Sequence, residues 1–275
     1  MFGTTYGGGT ENVGTIFRVS TDGKITTSHS FTGMDGEYPY DALIQAADGS
    51  LYGTTIYGGS GSYCGGDCAG TIFKISSHGV LTTLYSFCNQ PNCADGGLPY
   101  ANLIQTTDAN FYGTTIYGGK FNACGGGSSC GTVFQINDQG ELTTVHSFAN
   151  TDGAAPYGGL LQATSGILYG TTALGGNLAC NAPNGCGTVF SLDMGLGPFV
   201  AFVRGSGKVG QTGGILGQDF TGTSSVALNG VPATFKVVSD TYITATVPLG
   251  ATSGYVTVTT PSGTLTSNKP FIVVP

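Results

Sequence analysis

A group of short phrases recurs in the same order along the first 190 residues. The phrase (F/Y)GTT occurs four times, at Phe2–Thr5, Tyr52–Thr55, Tyr112–Thr115 and Tyr169–Thr172. The phrase GT(I/V)F follows each of them, starting at Gly14, Gly70, Gly131 and Gly187. Between them come TT-x-x-SF, a DG-x-x-PY segment and a short ALIQ, NLIQ or GLLQ run. Phrases that recur in one fixed order restrict the chain to an array of one repeated structural unit.

Each unit contains four short runs rich in Thr, Val, Ile, Phe and Tyr, separated by Gly, Asp, Asn and Pro. This composition is typical of strands joined by turns, and no segment shows helical spacing. Four strands in a unit of this length indicate one blade of a β-propeller, whereas the competing parallel β-helix usually has shorter coils. We therefore predict an all-β, β-propeller-like array of about 3.5 four-stranded repeats.

The strand count leaves open how the array closes. Three complete units and two flanking pieces give about fourteen strands. A propeller has to close, because an open sheet edge pairs readily with other chains. Three alternatives remain. Four blades could close imperfectly, further blades could precede residue 1, or two chains could form a homo-oligomer that completes one propeller ring of seven blades. Because the chain begins in the middle of a repeat, we expect it to derive from a longer secreted product.

The repeat stops near residue 195, and the pattern of the sequence changes. Apolar residues then alternate over longer runs such as Tyr242–Val247, with a turn signal at Asn229-Gly230. Seven or so short strands in this space predict an immunoglobulin-like β-sandwich. We therefore assign residues 1–195 to the β-propeller-like repeats and residues 196–275 to an immunoglobulin-like domain.

Charge is scarce in this chain. Charged residues make up 8% of it, against about 25% in typical domains. The net charge is −7 and no run of Lys or Arg occurs, so the basic surface that binds phosphate backbones is missing. No stretch reaches the ~18 apolar residues of a transmembrane helix. We predict neither a nucleic-acid partner nor membrane insertion.

Eight cysteines form four close couples within Gly-, Asn- and Ser-rich loops. We predict the disulfides Cys64–Cys68, Cys88–Cys93, Cys124–Cys130 and Cys180–Cys186. Disulfides indicate an oxidising compartment, so we expect a secreted or cell-surface protein. A zinc site would need four converging ligands, and because the chain has only three histidines we predict no metal there.

Two family resemblances follow from these phrases. The block YGTT-x-x-GG…GT(V/I)F…TT-x-x-SF…DG-x-x-P over residues 2–190 resembles the bacterial tandem repeat called GloVer, or Gloeo_Verruco. The run from Asn229 to Thr264, with NGVPATFKVVSD and GYVTVTTPSGT, resembles the IPT/TIG domain. The first resemblance implies a secreted or surface-anchored bacterial protein, and the second implies a spacer or interaction module. Neither supplies a catalytic motif.

Catalytic signals are absent from the sequence. No GxSxG, HExxH or phosphate-binding glycine pattern occurs in a strand–helix context, so we predict no catalytic residue and no cofactor. His29 and His146 share one position of TT-x-x-SF, where the middle repeat has Tyr85. A residue that varies freely between equivalent repeats is typical of a structural role.

Three aspartates and three tyrosines recur within DG-x-x-PY. They are our candidate ligand-binding residues: Asp35, Asp95, Asp152, Tyr40, Tyr100 and Tyr157. An aspartate before glycine most often closes a turn. A ring of carboxylates could instead bind calcium, which the spacing does not support, or act as acid and base on a sugar. Tyrosines repeated at one blade position form a ring around a propeller axis, where they either pack against the core or bind sugars with their apolar faces and polar tips.

These observations favour a non-enzymatic extracellular or cell-surface repeat protein that binds polysaccharide or another surface component through the propeller face. One alternative is a polysaccharide hydrolase or lyase that uses propeller carboxylates. Another is a self-assembling structural protein that pairs through open blade edges.

Overall fold

The computed structural model describes residues 1–62, 69–76, 78–121, 124 and 129–275. The described residues form 24 β-strands and one short 3-10 turn at Pro91–Cys93, which confirms the all-β prediction. Two compact units are present: Met1–Leu161 with Tyr169–Ser191, and Gln162–Leu168 with Leu192–Pro275. The predicted domains 1–195 and 196–275 stay a prediction; in this division residues 162–168 and 192–195 lie in the second unit.

The repeat region contributes fourteen of these strands, the number that the repeat count predicts. Strands β1 to β7 are Phe2–Thr5, Thr15–Val19, Ile25–Ser30, Ile44–Gln45, Leu51–Thr55, Thr71–Ile75 and Leu81–Ser86. Strands β8 to β14 are Ile104–Gln105, Phe111–Thr115, Thr132–Ile136, Leu142–Ser147, Leu161–Gln162, Leu168–Thr171 and Val189–Leu192. They form four sheets in the orders β1-β2-β3, β4-β5-β6-β7, β8-β9-β10-β11 and β12-β13-β14. The region is thus two complete four-stranded sheets flanked by two three-stranded sheets.

Every phrase of the repeat except DG-x-x-PY corresponds to one strand. In the second sheet, YGTT lies in β5 and GTIF leads into β6, and the two strands pair antiparallel with Gly53 opposite Phe73. A Cβ atom on Gly53 would lie 2.6 Å from the Phe73 ring. Gly113 has the same relation to Phe134, at 2.5 Å. The glycine of YGTT therefore makes room for the buried phenylalanine of GT(I/V)F.

The last strand of the complete sheets carries a β-bulge. Where β6 pairs with β7, Ile72 faces Tyr85 and Phe73 faces Thr83, so Leu84 is an extra residue. The same register shift occurs between β2 and β3 and between β10 and β11. Because a bulge re-aims the side chains beyond it, these strands all turn the residue before the final Ser-Phe toward the following loop.

Phenylalanines join one sheet to the next. The Phe of TT-x-x-SF packs edge-on against the Phe of GT(I/V)F in the following sheet, with ring centroids 5.1 to 5.3 Å apart. The three pairs are Phe31–Phe73, Phe87–Phe134 and Phe148–Phe190. Five of these six rings are almost completely buried. Such pairs each contribute about 0.5–1.5 kcal/mol beyond their burial.

A threonine pair forms a second joint between sheets. Thr55 Oγ1 and Thr71 Oγ1 lie 2.8 Å apart, and Thr71 Oγ1 also donates to the backbone carbonyl of Asp35 at 3.1 Å. A Cβ atom on Gly36 would lie 2.5 Å from Thr55 Oγ1. The Asp-Gly step that leaves one sheet therefore lies directly on the threonine pair of the next.

The same joint occurs twice more. Thr115 Oγ1 and Thr132 Oγ1 lie 2.8 Å apart, and a Cβ atom on Gly96 would lie 2.6 Å from the first of them. In the last sheet Thr188 Oγ1 donates to the Asp152 carbonyl at 2.9 Å. Only glycine fits at these positions, because any Cβ would displace a buried hydroxyl.

Strands β15 to β24 form the second unit's sheets. They are Ala201–Phe202, Ser206–Gly207, Thr212–Leu216, Ser225–Leu228, Val231–Pro232, Phe235–Ser239, Tyr242–Thr246, Val256–Thr260, Gly263–Thr266 and Ile272–Val273. Two sheets have four strands, in the orders β15-β17-β21-β20 and β19-β18-β22-β23, and β16 pairs with β24. Both four-stranded sheets contribute to one apolar core, with Ile215 and Ile243 from one sheet and Val226 and Val258 from the other.

Disulfides pin three loops of the repeat region. They join Cys88 to Cys93, Cys124 to Cys130 and Cys180 to Cys186, as predicted, and they indicate an oxidising environment. The predicted pair Cys64–Cys68 lies outside the described residues. Within the described ranges, no helix is long and apolar enough to span a membrane.

The glycine–threonine joint predicts the effect of two alanine substitutions. Gly96 and Gly49 both have positive φ, +101° and +81°, but an added Cβ on Gly49 meets nothing within 4 Å. We expect Gly49→Ala to lower the free energy of unfolding by about 1–2 kcal/mol, the cost of a left-handed alanine. Gly96→Ala should lower it by roughly a further 1–3 kcal/mol through overpacking. Denaturant unfolding of both variants measures this difference, and equal losses would show that the joint is not tight.

Candidate functional site

The candidate tyrosines lie in segments that bridge successive sheets. In the first segment, the Tyr38 N–H donates to Val13 O at 2.7 Å, and Tyr38 O accepts from Ile56 N at 3.3 Å. Val13 precedes β2 of one sheet, and Ile56 follows β5 of the next. Leu98 and Ala155 make the equivalent pairs of bonds in the second and third segments. One residue in each segment thus bonds to both sheets through its backbone.

This bridging residue has an unusual backbone conformation. Tyr38, Leu98 and Ala155 have φ values of +55°, +57° and +50°, although none is glycine. Each comes directly before a proline, which disfavours the right-handed helical region for the residue ahead of it. Left-handed geometry at a non-glycine residue is costly and persists where surrounding bonds hold it in place. The two backbone bonds of the bridge provide that restraint.

The proline that follows rests on a glycine of the preceding sheet. A Cβ atom on Gly14 would lie 2.5 Å from Pro39 Cδ, and one on Gly70 would lie 2.9 Å from Pro99 Cδ. All three prolines of these segments are buried. The bridging residue is held by two backbone bonds and the proline is buried, so together they fix the position of the residue that follows. That residue is the candidate tyrosine in every segment.

The three candidate tyrosines come together in one row. The ring centroids of Tyr40 and Tyr100 are 5.6 Å apart, and those of Tyr100 and Tyr157 are 5.3 Å apart, with interplanar angles of 66° and 65°. Tyr6 continues the row, 6.3 Å from Tyr40, and stacks on Tyr38 at 4.7 Å. We call these five residues the tyrosine row. Repeat symmetry predicted that Tyr40, Tyr100 and Tyr157 would converge; their binding role stays a prediction.

Much of the tyrosine row faces solvent. Tyr40, Tyr6 and Tyr157 are 63%, 52% and 51% exposed, whereas Tyr100 is partly buried between its neighbours. Burial raises the pKa of Tyr100, and the nearby hydroxyl of Tyr57 raises it further. Tyr100 therefore keeps its proton, and its capacity to donate a hydrogen bond, above the usual tyrosine range. The row offers exposed apolar ring faces beside polar hydroxyl tips.

Polar side chains border the row where the first two tyrosine segments continue. Asp41, which follows Tyr40, accepts the N–H of Asn102 at 2.9 Å and that of Ala42 at 2.6 Å. Asn102 follows Tyr100 by two residues. Sequence reasoning missed Asp41 and Asn102 because the repeats carry different residue types at these positions, and it missed Tyr38 because its equivalents are Leu98 and Ala155.

The three candidate aspartates close their own loops. Asp35 Oδ1 accepts the Thr32 N–H at 2.8 Å, and Asp35 Oδ2 lies 2.7 Å from His29 Nε2. In the third repeat, Asp152 accepts the Ala149 N–H at 2.8 Å and lies 2.9 Å from His146 Nε2. These partners are the side chains that the β-bulge turns toward the loop.

Asp95 makes the most complete version of this arrangement. It is fully buried and accepts the Tyr85 hydroxyl at 2.8 Å and the N–H groups of Asn89 and Gln90 at 2.9 and 3.2 Å. The recorded hydrogen bonds of all three candidate carboxylates stay within their own loop and the strand before it. Among the described residues, no three His, Cys, Asp or Glu side chains are grouped to hold a metal ion.

The bond between Tyr85 and Asp95 predicts a pH dependence of stability. Burial raises the pKa of Tyr85, and Asp95 raises it further, so the folded protein favours protonated tyrosine. This contribution is fully present below the unfolded pKa of about 10 and is lost as the pH rises above it. We expect the free energy of unfolding to fall above this pH, and to fall less steeply in Tyr85→Phe. Urea unfolding between pH 8 and 11 (roughly the span of free tyrosine titration) tests this, and identical slopes would contradict it.

Comparison with known proteins gives partial structural likenesses. A Bacteroides thetaiotaomicron protein described as a candidate phosphatase is 31% identical over 28% of this chain and 18% of its own, with a TM-score of 0.25. A fungal alcohol oxidase solved with copper is 13% identical over 95% of this chain and 60% of its own, with a TM-score of 0.41. A Xanthomonas campestris gluconolactonase is 13% identical over 92% of this chain and 77% of its own, with a TM-score of 0.35. No curated protein matches the chain significantly.

The family comparison is more extensive. The Gloeobacter/Verrucomicrobia repeat matches residues 1–125 and 69–231. These overlapping matches contain all four sheets of the repeat region, with their tyrosine row and threonine pairs, and extend into the second unit. The chain therefore belongs to the Gloeobacter/Verrucomicrobia repeat family.

Proposed function

We propose that this protein is an extracellular or cell-surface binding protein that holds a neutral polysaccharide along the tyrosine row. The observation that carries the proposal is the continuous line of four rings with centroids 5.3 to 6.3 Å apart, of which Tyr6, Tyr40 and Tyr157 are exposed. Tyrosine presents an apolar face and a hydroxyl tip together, which matches the apolar faces and hydroxyl edges of a sugar chain. Binding sites generally combine such apolar surface with a few placed polar groups, here Asp41 and Asn102.

The charge of the molecule favours a neutral ligand. The net charge is −7, and Asp41 is the carboxylate beside the row. A polyanionic glycan would meet like charge over the molecule and at the site, which disfavours association. A neutral glycan needs only hydroxyl, amide and ring contacts, and the row together with Asn102 offers all three.

The arrangement of the sheets supports a propeller as the scaffold for this site. Four antiparallel sheets that repeat one strand order, joined by equivalent bridging segments, are the pattern of successive blades. In that arrangement the residues repeated beside the bridges face the axis, which is where the tyrosine row would lie. We propose further that the second unit is an IPT/TIG-type immunoglobulin-like sandwich acting as a spacer, because two four-stranded sheets share its core. Secretion agrees with the disulfide-pinned loops.

Removing one ring of the row tests the proposal. We expect Tyr100→Ala and Tyr157→Ala to raise the dissociation constant for a bound neutral polysaccharide at least about tenfold, or ~1.4 kcal/mol. Tyr255→Ala is the matched control, because Tyr255 is 48% exposed and lies in the second unit. The measurement is affinity electrophoresis against glucans, mannans and xylans, followed by calorimetry on the best ligand.

Three results would overturn the proposal. The first is that none of the neutral polysaccharides retards the wild-type protein. The second is that Tyr255→Ala weakens binding as much as Tyr100→Ala does. The third is that an acidic polysaccharide binds and all neutral ones fail.

A further inference from the structure

The outer edge of β14 is unpaired in its sheet. β14 is the last strand in the order β12-β13-β14, whereas the equivalent strands β6 and β10 are each covered by a fourth strand. Val189 of β14 is 79% exposed, while Ile72 and Val133 at the same position of β6 and β10 are 0% exposed. Phe190 is also less buried than Phe73 and Phe134. An open strand edge with an exposed β-branched residue is a template for strand addition.

The other three sheets show which kind of segment fits this edge. β3, β7 and β11 cover β2, β6 and β10, and they read ITTSHS, LTTLYS and LTTVHS. All three pair antiparallel with the same bulged register. The first apolar residue of β7 and of β11, Leu81 and Leu142, packs against the core. The repeat therefore defines the length, direction and side-chain pattern of the missing strand.

The residue after this strand adds a further requirement. Phe31, Phe87 and Phe148 follow β3, β7 and β11, and all three are 0 to 1% exposed. Each belongs to a phenylalanine pair that joins two sheets. A segment that completes the sheet of β14 in the same way would carry phenylalanine directly after its last serine.

We propose that the edge of β14 binds, by β-strand addition, an extended segment of pattern (L/I)-T-T-x-x-S-F carried unpaired by another polypeptide of the same repeat family. Main-chain hydrogen bonds along the edge supply affinity, and pockets for alternate side chains supply specificity, as in other strand-addition complexes. A second folded copy of this chain is not the expected donor, since its own three segments already pair with β2, β6 and β10.

A synthetic peptide tests this directly. The peptide GELTTVHSFANTDG, which is residues 140–153, should bind the whole protein in a 1:1 complex by calorimetry. Hydrogen exchange should slow along residues 189–192. A scrambled peptide should not bind, and the peptide with F148A should bind at least about tenfold more weakly, because the equivalent phenylalanines are buried in the other three sheets.

Variants of the protein keep the test specific. Val189→Lys should weaken the binding of the peptide at least about tenfold. It should leave the unfolding midpoint of the protein unchanged, because Val189 is exposed in the free protein. Val80→Lys, at a residue that is 64% exposed outside β14, should bind the peptide like the wild type. Absence of peptide binding, or equal binding by the Val189→Lys protein, would overturn the proposal. Self-association of the protein alone that Val189→Lys abolishes would also overturn it, because the occupant would then be a second copy.

Discussion

The repeat region depends on a contact between a glycine and two threonines. The Asp-Gly step leaving one sheet lies on the paired hydroxyls of the next, and the step has no room for a Cβ atom. The contact buries polar hydroxyl groups. None of them is left without a hydrogen bond, because each hydroxyl bonds to the other or to the backbone of the preceding sheet. One small joint thus explains three invariant parts of the phrase set: the second Thr of YGTT, the Thr of GT(I/V)F and the Gly of DG.

The tyrosine row is a consequence of this joint. Because the Asp-Gly step is fixed, the chain that follows bridges the two sheets through Tyr38, Leu98 or Ala155 and then places Pro-Tyr against the preceding sheet. Each repeat therefore delivers a tyrosine to the same place, and successive rings come within contact distance. Segments held by two sheets keep the tyrosine row rigid, which would reduce the ordering cost of the binding proposed there.

Repetition made much of this structure predictable. Strand positions such as Leu51–Thr55 and Thr71–Ile75 follow from their phrases, and the convergence of Tyr40, Tyr100 and Tyr157 follows from their equivalent positions. Other features follow only from the three-dimensional structure. The β-bulge that aims His29, Tyr85 and His146 at the aspartates depends on cross-strand register, which spacing along one strand does not reveal. Likewise, the left-handed bridging residues carry no glycine signature, because tertiary hydrogen bonds impose their conformation.

Hydrogen exchange at the bridging residues measures how firmly successive sheets are joined. If successive sheets are locked through the Asp-Gly joint and the bridging residues, the amides of Tyr38, Leu98 and Ala155 should exchange only through global unfolding of the repeat region. Their opening free energies should then equal those of buried strand amides such as Phe73 and Phe134. Exchange of the three bridging amides through low-energy local opening, while the strands stay protected, would contradict this account.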